Sequence, residues 1–367
     1  MRFCLVSTQH HWGGGETLLA SMGRQWMRSG HSLSCIVRRG SEVEQQALAS
    51  GTTILHATQD RGTNLSDWWA IRRALRNWSP DVIVLNDSHA VPLVGSAALF
   101  CRRPKPVRLA YKHTVFRLHS GLKYRLLSDK LVCVSQAALQ VALEGGVPQR
   151  HAQMIYGGCR PLHSDPTARS EIHAELGLAP EQRLLVCVGS LLECKGHREL
   201  VDAMGLLEAK RSDLVAVIAG EGEQRSKLEA LIASRGLTHQ VRLLGYRHDA
   251  QRLLDAADLV VHPSHSEGLS LVLIQSQMLG KPIVATAVGG TREVLAADSA
   301  ECSSWLAQPG DAQSLAACIT QALAAIDNPS PEFREKLLAT TARMHQQFTI
   351  ATSANKWVEL AAHLRRC

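Results

Sequence analysis

Short apolar runs, each closed by a Gly, Pro or Ser turn and followed by a stretch with helical periodicity, recur along this chain in two blocks separated by one break. In the first block, strands are predicted at 2–7, 33–37, 81–86, 107–111 and 131–134, and helices near 16–29, 66–77, 90–100 and 136–144. Gly30 closes the first of these helices as a C-cap. From Gly157 to Pro180 the alternation stops at Gly157-Gly158, Pro161 and Asp165-Pro166, which reads as a linker. It then restarts with strands at 184–188, 214–219, 241–244, 259–262 and 283–285. Helices follow near 197–208, 223–234, 249–256, 269–279, 291–296 and 311–326, and two more, 331–347 and 350–364, close the chain. Strand–helix alternation of this kind specifies a doubly wound parallel sheet. The chain is therefore expected to be α/β, with two Rossmann-like halves facing across a cleft and ligands at the C-terminal ends of the strands. The expected bounds are a first domain over 1–160, a linker over 161–182 and a second domain over 183–345. A last helix over 346–367 is expected to pack back on the first domain.

The richest turn follows the strand at 259–262. Pro263, Ser264 and Ser266 lead to Glu267, then to Gly268-Leu269-Ser270-Leu271 and a helix carrying Gln275. Free backbone N–H groups at a helix N-terminus attract phosphate. Eight residues of helix span about 12 Å, the reach from the hexose of a nucleotide sugar to its ribose. One element could thus hold a sugar hydroxyl with Glu267, a diphosphate with the amides of Gly268 to Leu271, and a ribose with Gln275.

Other strand-end turns carry comparable groups. Trp12-Gly13-Gly14-Gly15-Glu16 follows the first strand, where glycines let the backbone approach a ligand closely. A dinucleotide cofactor would need Gly-x-Gly-x-x-Gly and an acid about 20 residues on, and neither occurs in that form. Gly189-Ser190 and Lys195-Gly196 open the second block. Lys112-His113, with Arg117, ends the strand at 107–111, and Gly220-Glu221-Gly222 and Gly289-Gly290 end two further strands.

Taken in order, these motifs resemble those of the retaining glycosyltransferases of family four, the group 1 type with the GT-B fold. The resemblance covers essentially the whole chain and is strongest over 184–296. It implies a metal-independent transferase with a nucleoside-diphosphate sugar as donor substrate and no cofactor. Glu267, Lys195 and His113 would be catalytic: Glu267 on the donor sugar, Lys195 on the diphosphate, His113 orienting sugar and acceptor. Donor contacts would come from Gly14, Gly15, Ser190, Gly220, Gly268, Leu269, Ser270, Leu271, Gln275, Gly289 and Gly290. Glu16, Lys112 and Arg117 would face the acceptor. Two positions depart from the family pattern: Ser190 stands where Arg is usual, and Gln275 where a second Glu is usual. Ser190 donates a hydrogen bond but supplies no charge, and Arg292 is the expected compensating cation. No Asp-x-Asp occurs in the chain, in keeping with a route that uses no metal.

Charge locates the acceptor side. Residues 1–165 hold 20 Lys+Arg against 10 Asp+Glu, a net +10, whereas residues 166–367 carry −3. A basic first half suggests an anionic partner. Arg72, Arg73 and Arg76 fall on one helix, Arg102, Arg103, Lys105 and Arg108 around a Pro-rich turn, and Lys112, Arg117, Lys123 and Arg125 beyond it. The expected acceptor is an envelope glycan or glycolipid, such as a lipopolysaccharide core intermediate, met at an anionic membrane surface; nucleic acid is not expected. A small soluble acceptor, or a non-catalytic nucleotide-sugar-binding protein on the same fold, are the alternatives. No apolar run approaches the ~18 residues of a membrane span, and residues 1–6 read as a buried strand and not a signal peptide. The ten cysteines form no Cys-x-x-Cys pair, so no zinc site or disulfide framework is expected. On these features the chain is expected in the cytoplasm, with peripheral contact at the inner face of the membrane as a further expectation.

Overall fold

The structure is a computed structural model that describes residues 1–59, 64–101, 104–118, 120–299 and 302–366. Arg102, Arg103 and Cys367 lie outside the described residues. The chain divides into two compact units, one comprising Met1–Arg160 with Phe348–Cys367, the other Pro161–Gln347.

The first unit is built on β1 (Arg2–Ser7), β2 (Ser32–Arg38), β3 (Thr53–Thr58), β4 (Val82–Leu85), β5 (Val107–Lys112), β6 (Lys130–Cys133) and β7 (Ala152–Met154). They pair in the order β3-β2-β1-β4-β5-β6-β7, every pair parallel. The second unit holds β8 (Arg183–Val188), β9 (Leu214–Ala219), β10 (Val241–Gly245), β11 (Leu259–His262), β12 (Ile283–Thr286) and β13 (Trp305–Ala307), in the order β10-β9-β8-β11-β12-β13, again all parallel. These are the two doubly wound sheets expected. Central strands such as Val82–Leu85 and Leu214–Ala219 are wholly buried, as apolar runs covered on both faces must be.

The three strands not predicted, β3, β7 and β13, are all sheet edges. An edge strand has one pairing neighbour and needs no continuous apolar run. Two helices were also not predicted, Glu42–Ala49 and Leu122–Leu127. The helix expected over 90–100 is instead a π-helical turn, Val91–Gly95, running into a short α-helical piece, Ser96–Ala98.

The last helix, Ile350–Leu364, belongs to the first unit. Its Trp357 is fully buried, 6.2 Å from the Trp26 ring and 5.2 Å, edge-on, from Tyr111. Trp26 donates its indole N–H to the Ala354 carbonyl at 3.1 Å, and Arg365 pairs with Asp81 at 2.8 Å.

Candidate functional site

Each sheet reverses its winding direction once, between β1 and β4 in the first unit and between β8 and β11 in the second. Crevices at the C-terminal ends of strands flanking such a switch point are where ligands of open α/β sheets bind. Both units concentrate their polar side chains there.

In the second unit, the turn after β8 carries Lys195 and the turn after β11 carries Glu267. Lys195 Nζ lies 2.6 Å from Glu267 Oε1. His262, the last residue of β11, places Nε2 2.9 Å from the same oxygen, and Ser264 Oγ donates to it at 2.8 Å. Glu267 Oε2 has no hydrogen-bond partner among the described residues. Burial alone would raise the Glu267 carboxyl. The hydrogen bond from His262 and the charges of His262 and Lys195 outweigh that and hold it well below the usual carboxylate range. The site therefore contains a fixed anion in a mostly buried setting, with one oxygen unengaged.

The helix after this turn runs Leu271–Met278, with Ser270 as N-cap accepting from the Leu273 amide. None of the amides of Gly268 to Val272 has an acceptor among the described residues. Five consecutive free N–H groups at a helix N-terminus attract anionic oxygen. Gln275, half-buried, sits one turn further along this helix. Gly290 is engaged differently: its N–H donates to the Glu267 carbonyl at 3.1 Å, so it braces the turn from the end of β12.

The loop after β8 is held by a buried imidazole. His197 Nε2 donates to the Ser190 carbonyl at 3.1 Å, and its Nδ1 lies 3.5 Å from Cys187 Sγ. Burial pushes His197 down to about 4, so it is neutral at pH 7. The Ser190 side chain itself is exposed. Gly196 takes φ +66°, and a Cβ there would meet the Pro263 carbonyl oxygen at 1.9 Å; only glycine lets the β8 and β11 turns approach this closely. Gly220 and Gly289 lie in the turns after β9 and β12. Arg292 is paired with Asp298 at the surface.

In the first unit, Gly13 caps the helix Gly14–Arg28, and Glu16 is buried in its first turn. Both Glu16 oxygens are engaged, Oε1 by Asn86 Nδ2 at 2.8 Å and Oε2 by the Gly13 amide at 3.2 Å. The carboxylate thus shapes the Gly-rich turn from within. The His113 ring lies directly against Gly15: a Cβ on Gly15 would come within 2.7 Å of the imidazole. Burial lowers the His113 pKa, opposed by the charges of Glu16 and Asp87, and its Nδ1 has no hydrogen-bond partner among the described residues. Lys112 does not contribute to a surface patch. Its ammonium folds back onto the Phe116 carbonyl at 2.8 Å, leaving Arg117 as the exposed cation of that pair.

The sequence pattern does not mark His262, His197 or Asn86 as site residues. His262 and Asn86 each stand at the end of an apolar strand, as His113 does next to one, and that position was the available signal. Among the described residues, no group of three or more His, Cys, Asp or Glu is placed to hold a metal ion, and no helix is long and apolar enough to cross a membrane.

Two parallel α/β sheets with polar clusters at their switch points define the GT-B class of folds. HepE of Anabaena, solved with UDP, superposes on 99% of this chain and 100% of its own with a TM-score of 0.84 at 19% identity. The family model "Glycosyltransferase Family 4" matches residues 12–161, and "Glycosyl transferases group 1" matches residues 168–338. The chain belongs to this group 1, GT-B glycosyltransferase family. Lipopolysaccharide glucosyltransferase WaaG of Escherichia coli is 28% identical over 218 residues, 58% of this chain and 56% of its own. Lipopolysaccharide core biosynthesis mannosyltransferase LpsB of Rhizobium meliloti is 26% identical over 257 residues, 68% of this chain and 70% of its own. The chain spans between a third and somewhat over half the length of the first curated relatives it matches, from 34% to 56%.

Proposed function

We propose that this protein transfers a sugar, with retention and without a metal, from a nucleoside-diphosphate sugar to an envelope glycan or glycolipid. The observation that carries this reading is the Lys195–Glu267–His262 cluster next to the free amides of Gly268 to Val272, at the switch point of the second sheet. Glu267 Oε2 accepts a hydroxyl of the donor sugar, the amides and Lys195 meet the diphosphate, and Gln275 takes the ribose. As the anomeric C–O bond to phosphate breaks, the acceptor oxygen bonds to the anomeric carbon on the same face. Its proton passes to a donor phosphate oxygen, so no strong protein base is required. The protein contributes positioning and fixed charge where the leaving group develops its own. His113 and Glu16, in the first unit, shape the acceptor side.

The lipopolysaccharide enzymes among the relatives favour a lipopolysaccharide core intermediate as acceptor. Membrane contact is supported by the helix Leu65–Trp78, where Arg73 and Arg76 are exposed and Arg72 lies over the Trp69 and Phe100 rings at 5.2 and 5.8 Å. Trp69 and Phe100 are both more than half exposed. Aromatic and Arg side chains together suit an anionic interface, each basic residue contributing about 1 kcal/mol. On this reading the protein works in the cytoplasm, peripheral to the inner face of the membrane.

The test is a panel of UDP-, GDP- and ADP-sugars in thermal-shift assays. A ligand at ~100 times its Kd should stabilise by about 2.7 kcal/mol. The stabilising donor is then incubated with core glycolipid, and the anomeric configuration of the product is read by NMR. Stabilisation by no nucleotide sugar would sink the donor reading, and an inverted product would sink retention.

A further inference from the structure

Behind the Gly-rich turn, the first unit contains a cavity of about 250 Å³ that shares only Glu16 with the groups assigned to the transferase reaction. Its floor is one face of the sheet: Leu5 and Ser7 on β1, paired in register with Cys35 and Val37 on β2. Side chains at i and i+2 share a face, so these four point the same way. The walls are the helices Gly14–Arg28 and Glu42–Ala49. Where a filled core would carry large side chains, they present Ala20 and Ala47 beside Leu19 and Val43. Small residues thus leave the slot open. It exceeds the roughly 150 Å³ of an apolar cavity that admits benzene.

Two polar features mark the slot as built for a ligand. Ser7 is 5% exposed, yet its hydroxyl has no hydrogen-bond partner among the described residues. Burying an unsatisfied hydroxyl is costly, and Ser7 lines the cavity. Arg24 lies on the same helix face as Glu16, eight residues or about 12 Å further along. Arg24 Nη2 donates to Ser21 Oγ at 3.0 Å, and Arg28 and Arg160, which do not line the slot, lie near enough to repel its charge. None of these three guanidinium groups has an acidic partner among the described residues. Exposed Met27 and Gln46 also line the slot, giving it an open side.

We propose that this slot binds an anionic amphiphile: an alkyl or prenyl chain lies against Leu5, Leu19 and Val37, and its phosphate meets Arg24, Arg28 and Arg160. An apolar chain fills what the small wall residues leave open, and an anion relieves the mutual repulsion of the arginines. Trp12 and Glu16 also line the slot, so an occupant touches the Gly-rich turn directly. The site goes beyond the transferase reading and does not depend on it, because binding is read with no sugar donor present.

The experiment is isothermal titration calorimetry of the full chain with decyl phosphate, with 1-decanol and inorganic phosphate as comparisons. Decyl phosphate should bind at least about tenfold more tightly than either, since chain and charge each contribute. Ala47→Leu and Ala20→Leu, on opposite walls, should each weaken decyl phosphate by about tenfold, the equivalent of two methylenes of lost burial. Arg24→Gln should weaken decyl phosphate while leaving 1-decanol unchanged. Decyl phosphate binding no better than inorganic phosphate would overturn the proposal. So would unchanged binding in a folded Leu variant. If both Leu variants raise Tm while the wild type binds no amphiphile, the slot is a packing defect and the proposal is wrong.

Discussion

Lys195 and Glu267 are 72 residues apart in the chain, yet their Nζ and Oε1 atoms are 2.6 Å apart. The pair joins the turns of two neighbouring strands, β8 and β11, at the point where the second sheet reverses its winding. With His262 and Ser264 on the same oxygen, it leaves Glu267 Oε2 without a hydrogen-bond partner among the described residues.

Removing the carboxylate should therefore disable transfer without unfolding the protein. Glu267→Ala is expected to lower turnover at least ~10²-fold, the scale of losing one charged transition-state contact. Near-wild-type turnover at an unchanged Tm would withdraw Glu267 from the donor site.

The same carboxylate should leave a mark on acid stability. Its folded pKa is depressed below the ordinary 4.5. Its contribution is thus fully present above that value and is lost as pH falls below it toward the folded pKa. The Tm difference between wild type and Glu267→Gln should be constant from pH 5 to 8, a window set by this shift, and should shrink on further acidification. A difference that grows below pH 4.5 would contradict the pairing.

Ser190 is exposed in the same strand-end turn as Lys195, where the family resemblance leads one to expect an arginine. Lys195→Ala should weaken nucleoside-diphosphate binding by about 1.5–3 kcal/mol, the range for hydrogen bonds to charged groups. Ser190→Arg should keep or improve that affinity. Calorimetry with the diphosphate checks both, and equal affinity in Lys195→Ala and wild type would remove Lys195 from the phosphate site.

Gly15 offers a test of the first unit alone. Its absent side chain is what lets the His113 ring lie where it does. Gly15→Ala should displace the imidazole, lowering kcat, and should weaken nucleotide affinity, since Gly15 is also an expected donor contact. Acceptor function lost at wild-type nucleotide affinity would mean that the Gly-rich turn serves the acceptor alone.

The C-terminal helix is held by a buried aromatic cluster, with the Arg365–Asp81 ion pair at its end. Trp357→Ala, deleting a fully buried ring between Trp26 and Tyr111, should destabilise by about 3–5 kcal/mol. Urea unfolding followed by Trp fluorescence measures this, and a loss under about 1 kcal/mol would show that the helix is dispensable to the first unit.

The order of elements and the α/β class are written in the sequence itself. Central strands such as Leu214–Ala219 must be apolar on both faces, and their turns need Gly, Ser or Pro whatever the rest of the chain does. The edge strands β3, β7 and β13 carry no such demand, since each has one pairing neighbour, and they became strands only through the pairing of the sheet. The convergence of side chains likewise belongs to the tertiary structure. Local pattern places Lys195 and Glu267 at strand ends, but the pairing of β8 with β11 brings them together, and the pairing of β1 with β4 sets Asn86 against Glu16. No local propensity encodes which parallel strands become neighbours, because that choice is made by burying whole sheet faces under their helices.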